Sequence, residues 1–231
     1  MYRLALPAAL TAVLVVASGS SEAKVVSGEL DLTGGVIFTS TLVDFTPAFG
    51  GSGRANIVDG SSGTFASLIG ATAIIKDIPL PPPGGILDEI TFPAAPLLHF
   101  NATSVDPGIF GSAQCALAPA VGQTCTLPGS PFNLTNVSQG STLSFEINGN
   151  FFDDTPDGNT GPTPYHGIAT AQFVGRSYQQ VLASIDGGQG VITSYSASFA
   201  PSVVPEASSV VMLGAGLLAF GALGWRRSRH G

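Results

Sequence analysis

The residue types that carry chemistry are sparse in this chain and mostly stand apart. The densest group is DDTPDGNTG at 153–161. Asp153, Asp157 and Gly158 fall where an EF-hand loop places its first, fifth and sixth residues. Thr155, however, stands third, and Pro164 stands twelfth, where a bidentate Glu is required. Two readings of this stretch stay open: a looser calcium loop using oxygens of Asp153, Asp154, Asp157 and Asn159, and a plain acidic turn between two strands. Apart from that calcium ion, no cofactor is expected.

Acid–base chemistry has little to draw on. His99 and His166 are the histidines in the body of the chain. A serine triad needs one of them beside a Ser and a carboxylate. The nearest approach to a nucleophile elbow, Gly60-Ser61-Ser62-Gly63, lacks the G-x-S-x-G spacing. Asp88-Glu89 and Asp153-Asp154 are adjacent pairs. Neighbours on a strand point to opposite faces, which separates the two carboxyls that a glycosidase must aim at one bond. His99, inside the alternating LLHFN, reads as a structural strand residue. The chain is therefore expected to be non-enzymatic.

Contact with sugars is a further option. Tyr165, Tyr178 and Tyr195 are the aromatic candidates, although Tyr178 fits better as the buried face of a helix, and the single Trp lies in the C-terminal tail. The sequons at Asn101, Asn133 and Asn136 read as polar residues at strand edges. An ice-binding face would need a flat Thr-x-Thr array, and Thr39-Ser40-Thr41 is an isolated instance.

Charge and cysteines bound the partners. Between residues 24 and 204 the basic residues are Lys24, Arg54, Lys76 and Arg176, set against all fifteen acidic residues except Glu22 and Glu206. A segment so acidic offers no surface to phosphate backbones, so nucleic acid is not a partner. Cys115 and Cys125 are the two cysteines. An even count in an exported chain points to a disulfide closing CALAPAVGQTC.

Export is read from the two ends. Residues 1–23 carry Arg3, an apolar stretch from Leu4 to Ala17, and small residues before a cut between Ala23 and Lys24. That apolar stretch is shorter than the ~20 residues a membrane span needs, so it reads as a cleaved signal peptide. Residues 204–231 divide into Val204-Pro205-Glu206, an apolar segment over 207–225, and a basic end at 226–231 with Arg226, Arg227 and Arg229. Nineteen helical residues cover roughly 28 Å, enough for a bilayer core, and the arginines belong on the cytoplasmic side.

This tripartite tail resembles the PEP-CTERM sorting signal of Gram-negative bacteria, which is also catalogued as an ice-binding protein C-terminal domain. Val204, Pro205 and Glu206 match the usual Val-Pro-Glu-Pro, while Ala207 replaces the last proline. The resemblance implies an exosortase-type membrane transpeptidase as processing partner. It also implies an inner-membrane intermediate with a cytoplasmic C-terminus, then release to the cell surface or medium. GRANIVDGSSGTFASLIG, the Cys pair before SPFNLTN, and TPYHGIATAQFVGRSYQQVLASI resemble an exported domain found before such tails. That similarity implies an association with exopolysaccharide and biofilm matrix. The functional expectation is thus a structural or adhesive surface protein, with a polysaccharide-acting enzyme, a glycan-binding module or a permanently anchored envelope protein as alternatives.

The elements that would hold any site are legible as alternation. GVIFTSTLVDF, LLHFNATSV, FNLTNVS, STLSFEINGNFF, GIATAQFV and GVITSYSASF read as half-buried antiparallel strands. In STLSFEINGNFF, Leu143, Phe145, Ile147 and Phe151 share one face, with Ser144, Glu146 and Asn148 on the other. In the first run, Val36, Phe38, Ser40 and Leu42 share a face. SYQQVLASIDGG instead places Tyr178, Val181, Leu182 and Ile185 at helical spacing, with Ser177 as cap and Gly187 as stop. The expectation for 24–203 is one all-β domain, a β-sandwich of jelly-roll type with one short helix.

Overall fold

The computed structural model describes residues 25–47, 51–156 and 161–202. Its strands are β1 (Leu30–Phe38), β2 (Leu42–Thr46), β3 (Ser52–Ile57), β4 (Thr72–Lys76), β5 (Ile78–Pro79), β6 (Ile86–Thr91), β7 (Leu98–Val105), β8 (Thr124–Cys125), β9 (Asn133–Val137), β10 (Gly140–Asp153), β11 (Thr163–Val174) and β12 (Val191–Pro201). A 3-10 helix covers Gly63–Leu68, and an α-helix, α1, the single one among the described residues, covers Tyr178–Asp186.

The all-β class matches the expectation, but the layering does not. Eight strands close a ring in the order β11-β12-β1-β3-β4-β6-β7-β10, with β10 pairing back onto β11. A sandwich or jelly roll has two sheets with free edges, whereas this ring has none. Long strands that serve two neighbours on one side produce the closure. The first part of β10 pairs with β9 and the second part with β7. Likewise β1 pairs with β3 through Leu32–Gly34 and with β2 through Gly35–Phe38. The barrel therefore occupies one end of the long strands. At the other end the sheet splays open, flanked by β2 on one side and by β9 and β8 on the other, with α1 lying against it.

Two groups of aromatic rings fill these two ends. In the barrel, Phe151 lies 4.8 Å from Phe100, 4.9 Å from Phe65 and 4.8 Å from Tyr165 between ring centres. At the splayed end, Phe132 lies 5.5 Å from Phe38 and 5.7 Å from Phe145. All but the tilted Phe151–Phe100 pair meet edge to face, and such pairs add about 0.5–1.5 kcal/mol each beyond their buried area. β10 alternates strictly between buried and half-buried residues, and Leu143, Phe145, Ile147 and Phe151 point inward as its sequence predicts.

The run read as one strand through Ser40 is two. The hydroxyl of Thr39 accepts hydrogen bonds from the amides of Thr41 and Leu42, and the Thr39 amide donates to the Leu42 carbonyl. This turn resets the alternation, so Val43 and Phe45 are buried on β2 in place of Ser40 and Leu42.

Helix α1 follows its sequence closely. Ser177 and Gln180 form a capping box, and the Gly187 amide closes the C-terminus on the Ala183 carbonyl. Tyr178 and Val181 are its buried residues. Cys115 and Cys125 form the expected disulfide, with Cα atoms 5.1 Å apart. Asp157, Asn159, the signal segment with Ala23 and Lys24, and the tail with Val204, Pro205, Glu206, Arg226, Arg227 and Arg229 lie outside the described residues. Among the described residues, no helix is long and apolar enough to cross a membrane.

Candidate functional site

The residues singled out for chemistry do not gather at one place. His99 on β7 stacks on Phe152 at 5.2 Å and 9°. Its Nε2 lies 3.9 Å from Asp88 Oδ1, and its Nδ1 lies 3.8 Å from Asp154 Oδ2. His166 on β11 faces another partner, Glu146, at 3.2 Å. Asp153 is buried, and its Oδ1 accepts a hydrogen bond from the Thr155 amide at 3.2 Å. Asp153 and Asp154 thus diverge as strand neighbours should, and exposed Asp88 and buried Glu89 diverge at an irregularity in β6. Among the described residues, no group of three or more His, Cys, Asp or Glu is arranged to hold a metal ion.

The serines of the Gly60–Gly63 stretch serve the backbone. Ser61 Oγ accepts from the Asp31 amide and Ser62 Oγ from the Glu29 amide, each at 2.9 Å. The three tyrosines considered for sugar stacking are buried. Tyr165 donates to the Gly28 carbonyl and Tyr178 to the Gln114 carbonyl. The sequon asparagines also differ from the edge residues expected, for Asn133 and Asn136 are buried. Asn136 Oδ1 accepts from the Tyr178 amide at 2.8 Å, and its amide nitrogen donates to Gln179 Oε1 at 2.9 Å, so it ties α1 to β9. A buried amide needs such partners, and a short strand beside a helix supplies them.

What the fold does build is a polar groove of about 810 Å³ on the outer face of β11, β12, β1 and β3. Its walls carry Thr33, Thr46, Asn56, Thr72, Thr170, Gln172, Thr193, Ser194 and Ser196, with Arg54 as the one charged residue. Among the described residues no Asp, Glu, His or Cys lines it, although the chain as a whole is acidic. The floor runs over Gly34 and Gly35. A Cβ at Gly34 would lie 2.8 Å from Cε1 of Tyr195, and one at Gly35 would lie 2.4 Å from Oγ1 of Thr46. Without side chains there, the Tyr195 ring packs against Gly34 and the Thr46 hydroxyl lies over Gly35.

Register aligns the lining. Thr72 is paired with Asn56, Asn56 with Thr33, Thr33 with Ser196, Ser196 with Thr170, and Thr170 with Ser144. These residues form one continuous row across six neighbouring strands, and each is half-buried or exposed; the first five line the groove, and Ser144 continues the row past its end. The hydroxyls of Thr170 and Ser196 are 3.0 Å apart. Sequence reasoning missed this row. Each member reads merely as a polar position in an alternating strand, and only the pairing register reveals the line.

Behind the groove lies an unusual acid. Glu89 is 1% exposed, and its two carboxyl oxygens accept no hydrogen bond among the described residues. Burial pushes it up to about 8, with Lys76 opposing and Asp77 reinforcing the rise. Tyr195, which lines the groove, is raised by burial and further by Glu89. Asp88 takes a positive φ of 49°, and the β6–β7 register shifts between Ile86 and Ile90. That bulge turns Glu89 inward beside Ile90. Compared with known family models, curated proteins and solved structures, the chain matches none of them.

Proposed function

We propose that this chain is an exported surface or matrix protein of a Gram-negative bacterium whose barrel makes structural or adhesive contact with exopolysaccharide and catalyses no reaction. In this reading residues 1–23 are a cleaved signal peptide. Residues 204–231 form a PEP-CTERM-like tail that holds the chain in the inner membrane until an exosortase-type transpeptidase removes it. The observation that carries the contact is the groove. Its wall of hydroxyls and side-chain amides offers donors and acceptors together. Its described residues include no carboxylate or imidazole of the kind that general acid–base chemistry draws on. Such a surface suits retention of a polyhydroxylated partner.

The test is the intact mass and fractionation of the protein from producing cells. We expect a chain beginning at Lys24, lacking the segment after the Pro205–Glu206 region, and recovered with the extracellular polysaccharide. A mass retaining Arg226 to Gly231, in protein that stays with the membrane, would replace this reading with that of a permanently anchored envelope domain.

A further inference from the structure

We infer that the groove binds a linear polysaccharide chain in extended form, laid across the strands along the row Thr72–Asn56–Thr33–Ser196–Thr170–Ser144. This inference rests on the proposed function and names the ligand's shape and orientation at that same site.

Three features point to an extended chain. The first is repetition: the row places one small hydroxyl or amide on each of six neighbouring strands. Adjacent strands stand about 4.8 Å apart, so the row follows roughly 24 Å of the outer contour of the sheet. That step is close to the rise of one pyranose unit in an extended glycan, so each strand can meet one sugar. The second is charge. Arg54 is the sole charged residue of the lining. Neutral chains are therefore accepted, and weakly acidic ones meet no carboxylate there. The third is what the groove lacks. The aromatic ring that lines it, Tyr195, is buried. With no exposed ring among the described lining residues on which a single sugar would stack, binding comes from many weak hydrogen bonds summed along a chain.

The signature is dependence on length. The protein as recovered from cells is titrated with β-1,4-linked glucose oligomers of two to eight units, and with uronate oligomers of the same lengths, by calorimetry or NMR shifts. Affinity should rise severalfold with each added sugar up to about six, the span set by the row, and then level off. Thr170→Val keeps volume and strand propensity while removing a hydroxyl. Together with Ser196→Ala it should weaken the hexamer by tenfold or more and leave the dimer nearly unchanged. Both positions are exposed on the outer face, and unchanged thermal unfolding confirms that the variant is folded. Should that double variant prove unstable, Thr72→Val alone tests the end of the row, where the plateau should shorten by about one sugar.

The inference is overturned by absence of binding to every oligomer, by equal affinity for dimer and hexamer, or by groove variants that bind as the parent does. Those results leave intact a parent protein that still fractionates with extracellular polysaccharide. Conversely, length-dependent binding by a protein found only in the membrane upholds the groove and refutes the matrix assignment.

Discussion

At the residue scale the most consequential side chain is Glu89. Its carboxyl is held up to about 8 by burial, against an ordinary 4.5. The folded protein therefore keeps a proton that the unfolded chain releases above the usual carboxylate range. This contribution to stability is full below about 4.5 and declines as pH rises, levelling off above about 8, with a slope approaching about 1.4 kcal/mol per pH unit. Lys76, Asp77 and the Tyr195 hydroxyl are the charged or titratable groups that act on or respond to it. Urea unfolding of wild type and Glu89→Gln at pH 5 and pH 8 checks this. The variant should gain on wild type at pH 8 relative to pH 5, and an equal difference at both values would refute the argument. None of this was legible in ILDEITF. Asp88 and Glu89 do point apart, but through a backbone turn at Asp88 that sends Glu89 inward beside Ile90 and has no marker in residue type. The same holds for Asn133 and Asn136, polar by sequence and buried because the helix and loop bring partners to them.

At the element scale, legibility tracked how local the determining contacts are. Helix α1 was readable to its caps because capping is settled within a few residues: Ser177 and Gln180 satisfy each other's backbone amides. β10 was readable because fourteen residues of unbroken alternation admit one phase. The β1–β2 turn was not, because Thr-Ser-Thr fits a strand as well as a turn until the Thr39 hydroxyl finds its amides. β3 and β4 went unseen for a related reason, since SGRANI and TAIIK are short and gain their strand character from pairing with each other. Two devices hold the helix end together, and they differ in size. Ser177→Ala should cost about 1 kcal/mol in chemical unfolding. Replacing Cys115 and Cys125 by Ser should cost about 2–3 kcal/mol, because the short loop they close regains its freedom in the unfolded chain. A larger loss at Ser177 than at the disulfide would mean that the cap carries tertiary contacts beyond the helix.

At the scale of the whole molecule, the closed ring explains both what the groove is and why the fold class was legible while the architecture was not. Composition and alternation identify antiparallel strands, but they do not say which strand follows β1 around the sheet. That choice depends on β1 and β10 each dividing one edge between two partners. The same division links the two aromatic groups mechanically. Phe151 in the barrel and Phe145 at the splayed end are on one continuous strand, six residues apart, and β11 is paired along almost all of it. Neither end can unpair without disturbing strands that the other end needs. The molecule should therefore unfold as one cooperative unit, although its core is in two parts. Phe151→Ala removes the ring at the centre of the barrel and should cost about 3–5 kcal/mol. The informative reading is at the opposite end. Tyr178 begins α1 and its amide donates to Asn136 Oδ1, so in that variant this amide should lose its hydrogen-exchange protection at the same reduced denaturant concentration as the far-ultraviolet strand signal. If the helix end kept its wild-type midpoint while the barrel melted early, the shared strands would not transmit stability, and the two aromatic groups would belong to separate folding units.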